Sequence, residues 1–153
     1  MPEKDALKIS LETRLKMFAP HEQFGYGAYD IMINSFENNV FNSTFRGDGN
    51  GEVKNTITSL IDAKRAAYIY LNDNAGLLAG DNKSDVIAVS LLYKDMFDTL
   101  QSVVSHNEFF KGFDQKNMNE ETRIKFANAL RHCKELKLQV HGIVEKILEN
   151  WGG

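Results

Sequence analysis

Apolar residues recur every three or four positions through the middle of this chain, and that spacing constrains its fold more than any other feature. Between Val53 and Leu78 the pattern continues for about seven turns of an α-helix, with the apolar side chains on one face. Lys64 is the one charged residue in that stripe, and we expect its aliphatic stem to lie along the rim of the core. The pattern predicts a long amphipathic helix that buries its apolar face against other helices.

The same periodicity predicts four further helices. A short one is expected from about Glu3 to Phe18, and a long one from about His21 to Phe45. Two more are expected, one that starts at about Asn82 or Ser84 and ends near His106, and one from Asn119 to Trp151 with Asn119 as a good N-cap before two acidic residues. No alternating pattern is long enough for a sheet. We therefore predict an all-α fold, an antiparallel four-helix bundle with an additional short N-terminal helix, forming a single domain over residues 1–153.

Charge spacing gives two further expectations for the last helix. Glu121 and Lys125 are four residues apart, and so are Arg131 and Glu135. Residues at this spacing are neighbours on a helix surface, so each of these two pairs of residues is predicted to form an ion pair that stabilises the helix.

Composition argues against several classes of protein. The 153 residues are 42% hydrophobic and 25% charged, which is ordinary for a soluble globular domain. A net charge of −3 without a basic stripe argues against a nucleic-acid partner. The longest apolar run, Ala66–Leu71, is far shorter than the roughly 20 residues of a spanning helix, so no membrane insertion is expected. Residues 1–20 lack the apolar centre of a secretory signal, and we expect a cytoplasmic location.

Residues with catalytic or metal-binding chemistry are present, but their spacing fits no known site. No two of the four histidines are three or four residues apart, as a zinc-binding helix requires. Cys133 has no base facing it, because the adjacent His132 diverges from it on a helix, and we expect this thiol in the core or at its boundary. The segment from Asp48 begins like a calcium loop but lacks that loop's glycine and glutamate. We expect no enzyme activity, no metal and no cofactor.

Three short stretches, taken together and in order, resemble the flagellar secretion chaperone FliS family. Ala19–Phe24, followed by Ala28–Asp30, is similar to the start of that family's first long helix. Ile87–Met96 resembles its helix with a central tyrosine and a methionine, and Ile147–Trp151 resembles the end of its last helix. The resemblance covers about residues 19–151.

The chain departs from the family pattern at several positions. Ile31 and Met32 stand where the family usually has glycine and alanine, and Lys94 separates the motif's tyrosine from Asp95. What the resemblance implies is a chaperone without catalysis that binds the disordered C-terminal segment of flagellin. The segment would fold into helices in apolar grooves of the bundle, which prevents premature polymerisation. The flagellar export gate or a co-chaperone is a further partner that the resemblance allows.

Apolar residues outside the main helical stripes are the candidates for such grooves, because helix-in-groove binding needs exposed apolar anchors. The predicted groove residues are Ile33, Leu91, Leu138 and Ile143. A second set carries the family motifs and is expected to build the bundle itself. Its members are Tyr29, Leu92, Tyr93, Met96 and Trp151.

Two other functions stay open at this point. One is a helical-bundle adaptor or co-chaperone of the same secretion system that binds a folded partner. It is favoured by the absence of the family's N-terminal motif, in whose place Leu7–Phe18 stands. The other is a small helical enzyme such as a bundle ribonuclease, for which only Arg14 and His21 have suitable spacing. Pro20 argues against it because a proline there disrupts a shared helix.

Overall fold

The computed structural model describes residues 2–16, 26–40, 50–104 and 119–152. Within these ranges every regular element is a helix and no strand occurs, so the all-α prediction is confirmed. The helices are α1 (Pro2–Lys16), α2 (Tyr26–Asn38), α3 (Asn50–Asn74), α4 (Gly80–Val104) and α5 (Glu120–Glu149), with a 3₁₀ turn at Ala75–Leu77.

Helix α2 ends earlier than the sequence predicted. The helix was expected to reach Phe45, but Asn39 has a φ of 56° and Val40 is not helical. Asparagine adopts the left-handed conformation more readily than most residues, which makes it a common helix terminator. The Arg123 guanidinium of α5 donates hydrogen bonds to the carbonyls of Phe36 (2.7 Å) and Glu37 (3.0 Å). These carbonyls belong to the last turn, so α5 supplies partners that the helix end lacks.

Helix α5 begins where the sequence predicted. The Asn119 side chain accepts a hydrogen bond from the Glu121 amide at 2.7 Å, as an N-cap does. The predicted pair between Glu121 and Lys125 is present at 3.4 Å. The other predicted pair is wrong, because Arg131 forms its ion pair with Glu37 of α2 instead of with Glu135. A neighbouring helix offers this guanidinium a carboxylate that helical spacing alone does not reveal.

Helix α5 has the most neighbours, since it packs against α1, α2 and α4, while α3 packs against α4. The contacts between α4 and α5 have a clear order along both helices. Asn82 bonds the carbonyl of Asn150 at 3.1 Å, Asp85 pairs with Lys146 at 3.3 Å, and Asp95 with His132 at 3.2 Å. Later residues of α4 therefore meet earlier residues of α5.

Helices α1 and α2 contact different parts of α5. The ammonium of Lys4 in α1 lies 5.8 Å from the ring centre of Trp151, just beyond the end of α5. Asp30 of α2 pairs with Lys134, and the end of α2 meets Arg123. The two short helices thus follow one another along α5.

The core is made by apolar residues from all five helices. The Phe36 and Phe126 rings lie 4.6 Å apart between α2 and α5. Of the residues expected to build the bundle, Tyr29, Tyr93 and Met96 are buried. Leu92 and Trp151 pack against the core and are partly buried. Other large and completely buried side chains are Leu7, Leu11, Ile57, Leu71, Leu100, Leu130 and Ile147.

Replacing the N-cap of α5 tests the role of this helix start. Asn119→Ala should lower the free energy of unfolding by about 1 kcal/mol, because the Glu121 amide loses its hydrogen-bond acceptor. Urea unfolding followed by circular dichroism measures this. Gln139→Ala, at an exposed position within α5, is the matched control and should leave the free energy of unfolding unchanged. Equal stability of the Asn119 variant and the wild type would contradict the assignment.

Candidate functional site

The four predicted groove residues differ in exposure. Leu91 and Leu138 have 54% and 53% of their surface exposed, whereas Ile143 is partly buried against the core. Ile33 is 8% exposed and belongs to the core. Its outer edge lines a shallow surface depression of about 390 Å³ between α2 and α5. The charged residues around it are Asp30, Arg131, Lys134 and Glu135.

These four residues do not line one groove. Leu138 and Ile143 are five residues apart on α5, which places them about 140° apart around the helix axis. Leu138 is on the side of Lys134, which pairs with α2, while Ile143 is on the side of Lys146, which pairs with α4. The structure therefore places Ile33 and Leu138 towards one flank of α5, and Ile143 towards the other.

Helix α4 presents an apolar patch on its outer side, opposite the buried Tyr93. Two consecutive turns each contribute two neighbouring apolar residues, and none of the four is buried. Their spacing places them on adjacent positions of the helix surface. We call this the α4 patch, and its members are Ile87, Ala88, Leu91 and Leu92.

Two polar contacts between α4 and α5 bracket part of this patch. Asp85–Lys146 lies before it and Asp95–His132 after it. From the order of contacts between the two helices, Ile143 of α5 lies at the level of the α4 patch. A stretch of apolar surface thus lies between two polar boundaries, which suits the apolar face of an added helix.

The interior contains a cluster of positively charged groups around the ring of Tyr93. The Arg14 guanidinium carbon lies 5.0 Å from the ring centre, and the ammonium nitrogens of Lys137 and Lys64 lie 5.2 and 5.8 Å from it. Lys137 also donates a hydrogen bond to the Tyr93 hydroxyl at 3.1 Å. Lys64 lies 5.4 Å from the ring centre of Tyr29. Each of the five helices supplies at least one of these residues, which we call the cationic cluster.

Burial changes the acidity of the two lysines. Lys64 is 8% exposed and Lys137 is 4% exposed. Burial, followed by the charge of Lys137, lowers the pKa of Lys64 from 10.5 to about 8. Burial, followed by the charge of Arg14, lowers the pKa of Lys137 from 10.5 to about 8. The interior thus disfavours the charged form of both amines.

Two weakly acidic groups, the Tyr29 phenol of the cluster and the nearby Cys133 thiol, are kept neutral. Burial raises the pKa of the Tyr29 phenol well above 10.0. Its hydroxyl is buried and has no hydrogen-bond partner in the described part of the chain. Cys133 is fully buried, its thiol donates to the Met96 carbonyl at 3.8 Å, and burial raises its pKa to about 12. A thiol held protonated is a poor nucleophile, and the predicted core position of Cys133 is confirmed.

Sequence reasoning found only part of this cluster. Lys64 was expected to reach the rim of the core, but its amine is buried as well. Lys137 was not predicted, although it lies four residues after Cys133 and three before Val140, in the apolar stripe of α5. Arg14 was considered only as a partner of His21, which lies outside the described residues. The signal was available for both lysines, since each lies in the core stripe of its helix.

The described part of the chain shows neither a metal-ligand group nor a membrane-spanning helix. Among residues 2–16, 26–40, 50–104 and 119–152, no three His, Cys, Asp or Glu side chains are grouped as metal ligands would be. No helix in these ranges is long and apolar enough to cross a membrane. Comparison with known protein families, curated proteins and solved structures finds no match.

Removing the charge of Lys64 should stabilise the protein. Lys64→Met keeps the aliphatic volume, so the free energy of unfolding at pH 7 in chloride buffer should rise by about 1–3 kcal/mol. Because the folded pKa lies below the unfolded pKa, the wild-type lysine disfavours folding below about pH 8. That penalty disappears as the pH rises towards 10.5. The gain from the substitution should therefore be much smaller at pH 10 than at pH 7.

Urea unfolding at the two pH values measures this difference. Lys94→Met is the control, since Lys94 is exposed and pairs with Asp98 at 2.9 Å, and it should bring no gain at either pH. A loss of stability in the Lys64 variant, or an equal gain at pH 7 and pH 10, would contradict the burial of this charge.

Proposed function

We propose that this protein is a cytoplasmic helical-bundle chaperone that binds a disordered apolar segment of an exported protein. The partner implied by the sequence resemblance is the C-terminal segment of flagellin, which would fold into helices on the bundle surface. Covering the segment prevents premature polymerisation. The proposed role involves binding alone and no catalysis.

The observation that carries the proposal is the α4 patch. Leu91 at its centre is 54% exposed, and Ile143 of α5 lies alongside. A disordered segment loses conformational entropy when it folds on a surface, so it must bury a large apolar area. About 1,000 Å² of apolar burial contributes on the order of 25 kcal/mol before those losses. The patch alone is too small for this.

A second contact on the other flank of α5 extends the proposed binding surface. Leu138 is 53% exposed there, and Ile33 lines the depression nearby. A segment that makes two helices can reach both flanks of α5, with one helix on each side. The proposal therefore assigns Leu91 and Ile143 to one groove, and Ile33 and Leu138 to the other.

In the proposed chaperone the helices form an antiparallel four-helix bundle, and α1 and α2 together take the place of one of its four helices. The order of contacts between α4 and α5 supports this, because residue numbers rise along one helix and fall along the other. The succession of α1 and α2 along α5 supports it as well. In such a bundle the faces turned away from the core form long grooves between adjacent helices.

An adaptor that binds a folded partner is the second candidate. The charged surroundings of the depression at Ile33 favour it, since the rim of an interface between folded proteins is polar. A binding experiment that compares flagellin with and without its C-terminal segment separates the two candidates.

Titration calorimetry with flagellin provides the test. Intact flagellin should bind, and flagellin without its C-terminal segment should not. Binding of both forms with equal affinity would contradict the chaperone proposal and favour the adaptor. Binding of neither form would remove flagellin as the partner.

Single substitutions locate the surface. Leu91→Ala and Leu138→Ala should each weaken binding of the segment about 5- to 30-fold, because each removes an apolar anchor worth about 1–2 kcal/mol. Both side chains are more than half exposed, so the fold should be unaffected. Ile9→Ala is the matched control, since Ile9 is 63% exposed on α1 and should leave the affinity unchanged. Unchanged affinity in both leucine variants would contradict the proposed grooves.

A further inference from the structure

Two positively charged members of the cationic cluster, Arg14 and Lys64, have no carboxylate partner among the described residues. Among the described residues, the groups that shift the pKa of Lys64 are Lys137, Tyr93, Cys133 and Arg14, and none of them is a carboxylate. Charges are buried in proteins when they are paired, and here the described residues leave like charges together.

Two buried hydrogen-bonding groups at the cluster also lack a described partner. The Nε atom of Arg14 and the hydroxyl of Tyr29 are both inaccessible to solvent and unpaired. Tyr29 as a whole is 3% exposed. Each such group normally finds an acceptor, because an unsatisfied buried donor costs about 1–3 kcal/mol. Unsatisfied donors and positive charge from α1, α2 and α3 therefore lie around the rings of Tyr29 and Tyr93.

We propose that the cationic cluster is a binding site for a phosphate group, held by Arg14 and Lys64 with Lys137 and the Tyr29 hydroxyl. A phosphate carries up to two negative charges and several acceptor oxygens, so it neutralises more of the cluster than a carboxylate does. A guanidinium matches phosphate oxygens with paired N–H donors, and a lysine adds a point charge. Arg14 is only half-buried, so the site meets solvent at the end of α1.

This site lies inside the bundle and is distinct from the α4 patch, so it adds a ligand to the proposed function instead of explaining it. An anion held by these groups joins residues of four helices, α1, α2, α3 and α5. Its binding is therefore linked to folding, since a ligand that binds only the folded state stabilises that state.

Thermal unfolding with inorganic phosphate tests the proposal. In chloride buffer at constant ionic strength, added phosphate should raise Tm, and above the Kd the rise should grow with the logarithm of the phosphate concentration. The rise should reach about 5–10 °C when phosphate is roughly 100-fold above its Kd. A second arm with phosphoserine distinguishes the source of the phosphate group. A larger rise with phosphoserine points to a phosphorylated ligand, and a larger rise with inorganic phosphate points to the free ion.

Two variants make the result specific to the cluster. Lys64→Met should lose the phosphate-dependent rise even if it is more stable than the wild type in chloride. Lys125→Met removes the same charge from an exposed position on α5 and should keep the full rise. The absence of any rise in the wild type, or an equal rise in the wild type and the Lys64 variant, would overturn the proposal.

Discussion

Burial of positive charge around Tyr93 is the constraint to which all five helices contribute. Arg14 of α1 and Lys64 of α3 lie close to the Tyr93 ring. Lys137 of α5 donates a hydrogen bond to the Tyr93 hydroxyl, and Tyr29 of α2 lies beside Lys64. Lys64 and Lys137 are buried, and the low dielectric constant of the interior strengthens the repulsion among the charges. Hydrophobic packing must therefore offset an electrostatic penalty at the centre of the fold, and any group that neutralises these charges favours the folded state.

Helix α4 connects the interior with the surface proposed to bind a partner. Tyr93 points into the cationic cluster, while the adjacent Leu91 and Leu92 belong to the outward α4 patch. Helix α5 has a similar double role, because Lys137 is buried and Leu138 is exposed. The same two helices thus hold the charged centre and the apolar outer faces.

Local signals in the sequence predicted the helices well, and tertiary contacts account for what it missed. The stripe of α5 and its Asn119 cap follow from spacing and capping chemistry. The end of α2 does not, because apolar residues continue past Asn39 and only the backbone conformation ends the helix there. Spacing placed Lys64 in the core stripe but could not tell how deeply its amine is buried. The Arg131–Glu37 pair joins two helices, so spacing within one helix could not predict it. The predicted groove residues were found by spacing within single helices, which does not show that they lie on opposite flanks of α5.

The ionisation of individual lysines, followed by heteronuclear NMR of the Cε and Nζ nuclei, tests the burial of charge most directly. Spectra of Lys64→Met and Lys137→Met identify the two signals. In phosphate-free buffer the pKa of both lysines should be near 8. Titration of both amines near the ordinary lysine pKa of 10.5 would show that they reach solvent, and would contradict the buried cluster on which the account depends.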